Sequence, residues 1–170
     1  TMELMLSDIH YGKKTQTFNL DICKQRMQKL TSVFLTEMKA KERQGYNVER
    51  FVIALIGDIM ESFTMHGTES ALSCEFGNAR QIQEAIDSLF SDVILPLAQT
   101  GVEIVIPAVC GNHDRTDHSK TYNDPGENYM TWVIYNALKR YCSLSNLKNV
   151  TFDIPKKNYT TVKIYRDVVL

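Results

Sequence analysis

Apolar side chains in this chain come in two rhythms. Near-continuous apolar runs occupy residues 3–6, 51–56 and 102–110, with Glu3 and Glu103 the charged residues among them. Runs this short, bounded by turn residues, read as strands. Elsewhere the apolar positions recur every three or four residues. Met27, Leu30, Val33, Phe34 and Met38 do so within 19–44, and Gly45 stands where a helix would stop. Ile82, Ile86, Leu89, Val93 and Leu97 share one face of a second helix over 78–99, and a third helix is expected over 127–141. The run 51–56 has no polar alternation, so it predicts a strand buried on both faces, in a parallel sheet between helix layers. Pro107 inside the third run argues for an edge position, a bulge or an early end. Residues 61–77, with His66, Gly67 and Gly77, have no period and read as a long loop. Residues 115–126 read as another. The segments 151–154 and 159–165 suit a hairpin across Pro155-Lys156-Lys157-Asn158. The resulting order, β-α-β-α-β-α-β-β, predicts an α/β domain with a mainly parallel sheet flanked by helices.

Polar residues follow three of the apolar runs at once: Ser7-Asp8-Ile9-His10, then Gly57-Asp58, then Gly111-Asn112-His113-Asp114. Ligand sites of parallel sheets lie at the carboxyl ends of strands, which is where all three fall. Asp8 and His10 are two apart, so an extended strand end would point both to one side. Each block has a plainer reading as a turn or cap, and Gly111-Asn112 is a common turn pair. Taken together they offer carboxylates, imidazole and an amide oxygen. That mixture suits manganese, iron or zinc, and a pair of ions better than one.

Composition changes this picture little. At 170 residues the chain has the size of one domain, with 44% hydrophobic and 23% charged residues. The net charge of −1 gives no basic field for nucleic acid, although bound cations would supply one locally. No apolar run is long enough for a membrane span. Cys23, Cys74, Cys110 and Cys142 are scattered without a CxxC pair, which predicts reduced thiols and a cytoplasmic protein. The apolar ending Val168-Val169-Leu170 suggests a fragment of a longer protein, a single truncated domain.

The three blocks resemble those of the calcineurin-like metallophosphoesterases: DxH, GDxxx and GNHD in order, over roughly residues 4–114. The resemblance implies a layered metallophosphoesterase fold, here incomplete at its C-terminal end, and hydrolysis of a phosphate ester at two divalent cations, manganese foremost. It implies that Asp8 and His10 hold the first metal, that Asp58 bridges, and that Asn112 binds the second. His113 would then be no ligand but the acid or transition-state stabiliser facing the leaving group, with Asp114 orienting its ring. The second block, Gly57-Asp58-Ile59-Met60-Glu61-Ser62, lacks the Asp-Arg-Gly of the protein phosphatases. It looks more like the nuclease and phosphodiesterase branch, with DNA as one candidate substrate. Arg115 and His118 could touch a substrate phosphate. The family pattern asks for three further histidines. Beyond His10 and His113 this chain has only His66 and His118, neither after a later strand. Two other readings therefore stand beside the phosphodiesterase: a non-catalytic binding or scaffold module, and a phosphomonoesterase for small molecules.

Overall fold

The computed structural model describes residues 1–63, 67–116, 126–157, 159–165 and 168–169. Four strands, β1 (Met2–Leu6), β2 (Arg50–Ile56), β3 (Glu103–Val109) and β4 (Val150–Asp153), form one sheet in the order β1-β2-β3-β4. Every pairing is parallel, so all four carboxyl ends lie along one edge. Helices α1 (Leu20–Arg43), α2 (Thr68–Ser73), α3 (Asn78–Ser88), α4 (Leu95–Ala98) and α5 (Met130–Leu144) complete the domain, and a π-helical segment, Leu89–Ile94, joins α3 to α4. Among the described residues no helix is long and apolar enough to cross a membrane.

Local chemistry explains the helix ends. Asn19 caps α1, its side chain accepting the Ile22 N–H at 3.0 Å. Asp21 sits in the first turn and Lys41 and Arg43 in the last, each complementing the helix dipole. Gly45 follows in the left-handed region at φ 88°. Leu20, Cys23, Phe34 and Met38 are buried, but Val33 lies beside that stripe and is 49% exposed. The predicted helix 78–99 runs from Asn78 to Ala98, with the π turn inside it. Leu95 N–H donates to Phe90 O, one residue further back than in an α-helix. The widened turn comes just before Pro96, which has no N–H to give.

Leu4, Leu6, Phe51, Ile53, Leu55, Ile104, Ile106 and Ala108 join the buried helix residues in one core cluster. Side chains alternate along a strand, so Val52 and Ala54 face the other way; both are buried too. A groove of about 170 Å³ on that side is lined by Ala54, Pro107, Thr160 and Val162. The two-sided burial expected of β2 is therefore present, with residues 160–162 rather than a helix beside Ala54.

Three expectations change. Pro107 lies in an interior strand, not at an edge. The β2–β3 register runs from Arg50↔Glu103 to Val52↔Val105 and resumes at Leu55↔Ala108, passing over Pro107, which has no donor. The hairpin over 151–165 does not form. β4 extends the parallel sheet beside β3, whereas β5 (Lys163–Tyr165) pairs with β6 (Val168–Val169) in a separate antiparallel ribbon. Pro155 disfavours a tight turn there, and β4 pairs instead along the free edge of β3. Finally, the loop 61–77 contains α2.

Candidate metal centre

The site is assembled by loops that leave β1, β2 and β3 at their carboxyl ends. The first two run side by side. Asp8 N–H donates to Gly57 O at 3.3 Å, His10 N–H to Asp58 O at 3.1 Å and Tyr11 N–H to Ile59 O at 2.8 Å, and Glu61 N–H returns to Tyr11 O at 3.1 Å. Tyr11 is fully buried and donates its hydroxyl to Ser88 Oγ at 2.8 Å, which ties this ladder to α3.

Asp8, His10 and Asp58 have φ of 54°, 54° and 51°. A side chain in this left-handed region costs about 1–2 kcal/mol. The reason offered by sequence for bringing Asp8 and His10 together therefore needs correction. They are not alternate residues of an extended strand, because β1 ends at Leu6. Two left-handed turns bring them close instead, with His10 Nε2 3.7 Å from Asp8 Oδ1.

The second and third loops interlock. His113 N–H donates to Asp58 Oδ1 at 2.8 Å, while Asp114 Oδ2 accepts Asp58 N–H at 3.1 Å and Gly111 N–H at 2.6 Å. Gly57 and Gly111 allow this approach: a Cβ on Gly57 would stand 2.5 Å from Gly111 Cα, and one on Gly111 2.7 Å from Asp58 Cγ. Asp114 is completely buried. Burial pushes its carboxyl up to about 6, with the nearby Asp58 charge adding to the rise and the two backbone N–H groups opposing it.

One ligand atom each from His10, Asp58 and His113 lies within 4.8 Å of the others. The two imidazoles meet edge to face, with centroids 4.7 Å apart. Two imidazoles and a carboxylate at this spacing fit a borderline divalent cation, so the cluster can hold a metal ion. No family model, curated protein or solved structure matches this chain. What the site does is therefore argued from its own residues.

Of the residues singled out by sequence, His10, Asp58 and His113 come together, and Asp8 stands beside His10 with its side chain 67% exposed and accepting from Ser7 Oγ. Asn112 is exposed in the turn between Gly111 and His113, and Arg115 is half-buried just after it. His118 and His66 fall outside the described residues. His113 joins the metal-capable cluster, where the resemblance had set it apart as a non-ligand. Its ring is held at Nδ1 by Glu61 O at 2.7 Å, while Asp114 Oδ2, expected to orient that ring, accepts the two backbone amides.

Glu61 is the residue that sequence reasoning passed over. Its side chain is 4% exposed; Oε2 lies 2.8 Å from His10 Nδ1, and both oxygens accept from Lys13 Nζ at 3.1 Å. Burial alone would raise its carboxyl, but the hydrogen bonds from His10 and Lys13 hold it below the usual range. The available signal was a lone carboxylate after the apolar pair Ile59-Met60, three residues beyond Asp58. Gln81 supports the loop from α3, accepting Ser62 N–H at 2.9 Å.

Proposed function

We propose that this protein is a metal-dependent phosphoesterase that cleaves phosphodiester bonds, with DNA among its candidate substrates. The observation that carries the reading is the convergence of His10, Asp58 and His113 at the carboxyl ends of three adjacent parallel strands. In this reading Asp8, His10 and Asp58 hold one cation, and Asp58 and Asn112 a second. Two divalent cations, manganese foremost, would polarise the phosphate ester and make water a nucleophile at neutral pH.

The residues of the chain have distinct duties in this scheme. Asp58 is fixed by the His113 amide through Oδ1, so it presents its carboxylate in one orientation. His113 sits between that carboxylate and the Glu61 carbonyl, and in its doubly protonated form the ring would give the leaving oxygen its proton from Nε2. Asp8, beside His10 at the exposed rim, would add its carboxylate to the first cation's ligands.

The test is hydrolysis of a bis-aryl phosphodiester by the protein, with and without manganese. Metal-stimulated turnover should fall by more than about 100-fold in Asp58→Asn, since even losses outside the ligand set commonly cost about 10–100-fold. Turnover unaffected by that substitution would end the reading. Activity confined to monoesters would move the substrate class, and no turnover with any metal would leave a binding module.

A further inference from the structure

We infer that Glu61 is the positioning residue of this centre, presetting both imidazoles in the Nδ1–H tautomer, His10 through its carboxylate and His113 through its main-chain carbonyl. A backbone carbonyl only accepts, so the 2.7 Å contact between Glu61 O and His113 Nδ1 requires a hydrogen on that nitrogen. An ionised carboxylate also only accepts. Glu61, gripped through both oxygens by Lys13 Nζ at 3.1 Å, stands 2.8 Å from His10 Nδ1; the contact lies off the ideal hydrogen-bond axis, but a nitrogen lone pair facing a carboxylate oxygen would be repelled, so this nitrogen is the one that carries the hydrogen.

In a neutral ring the lone pair is then on Nε2 in both histidines. For His10 that nitrogen is the one 3.7 Å from Asp8 Oδ1, on the side where a cation is proposed to sit. Free imidazole side chains favour the opposite tautomer, so the arrangement is imposed by the protein. Glu61 is itself held rigidly, by its N–H on Tyr11 O at 3.1 Å and by near-complete burial. A carboxylate that fixes a ligand histidine from behind raises its basicity and fixes its ring. Here one residue serves two rings by two different groups, and this makes the inference separable.

The observation stands in the metal-free protein; only its purpose rests on the metal-centre reading. The experiment is a long-range 1H–15N correlation spectrum of the ring nitrogens, recorded with EDTA at a pH where both rings are neutral. In the wild type both His10 and His113 should show a protonated Nδ1. Glu61→Ala removes the carboxylate but keeps the carbonyl, so His10 should shift toward Nε2–H while His113 stays. Glu61→Gln keeps an acceptor for His10 and should leave both unchanged. A wild-type spectrum with Nε2–H on either ring overturns the inference, and so does a His10 that ignores Glu61→Ala. The wild-type result decides the matter even where the alanine variant fails to fold. Manganese titration by calorimetry then reads the consequence: Glu61→Ala should bind about 10–100-fold more weakly, and Glu61→Gln less so. Manganese binding absent from the wild type would defeat the proposed function and leave the tautomer result intact.

Discussion

Asp114 illustrates how a single buried group can oppose the fold it organises. Its carboxylate joins the second and third loops through two amides, yet its charge lies out of reach of water. With the folded carboxyl near 6 and the unfolded one near 3.9, the folded state binds the proton more tightly. The favourable contribution of this group is therefore complete below about pH 4 and is lost as pH rises through about 6. Asp114→Asn keeps an oxygen for both amides and removes the charge. Without metal, the variant should gain on the wild type by about 1–3 kcal/mol between pH 4 and pH 7. Denaturant melts at the two values check this, and an unchanged gap would show that no buried charge resides there. Gly111→Ala probes the same junction sterically. Its Cβ would fall against Asp58, so a loss of about 1–3 kcal/mol is expected, read as a lower denaturant midpoint at constant slope.

Elements answer to more local rules, and these were the most legible in sequence. The apolar period over 19–44 and the stop at Gly45 mark α1 within a residue or two of Leu20 and Arg43, and the structure adds the cap at Asn19. Asn19→Ala should lower stability by about 1 kcal/mol, because the Ile22 N–H loses its acceptor; urea melts that coincide with wild type would remove the cap from the account. The three parallel strands were legible because an apolar run without alternation has few other homes. What sequence did not convey depended on partners distant in the chain. Pro107 pointed to an edge position, a bulge or an early end, and nothing local excluded the edge by showing that β4 would pair on its other side. The segment 159–165 looked like a hairpin partner for 151–154, yet register is decided by which sheet buries the strand. The metal-capable residues were legible as strand-end blocks, but not the left-handed turns at Asp8, His10 and Asp58 that aim them, nor the reach of Glu61 across to both rings.

At the scale of the whole molecule, the cluster links parts of the chain as far apart as residues 10 and 113. An unfolded chain cannot hold those donors together, so a bound cation stabilises the folded state alone, by about RT ln(1 + [M]/Kd). Folding without a cation also sets the Asp58 carboxylate close to buried Asp114 and keeps three residues of the site in the left-handed region. A bound cation would offset the first of these costs. Asp8, His10, Asp58 and Asn112 fall short of a full donor set for two cations, so the melting temperature should hold at micromolar manganese and rise in the millimolar range. At a hundred times Kd the gain would be about 2.7 kcal/mol. Asp58→Asn should abolish the rise while leaving the metal-free melt close to wild type, because the asparagine oxygen can still accept the His113 amide. A large rise already at micromolar metal would mean more donors than these residues supply. A rise that survives Asp58→Asn would place the cation somewhere other than this centre.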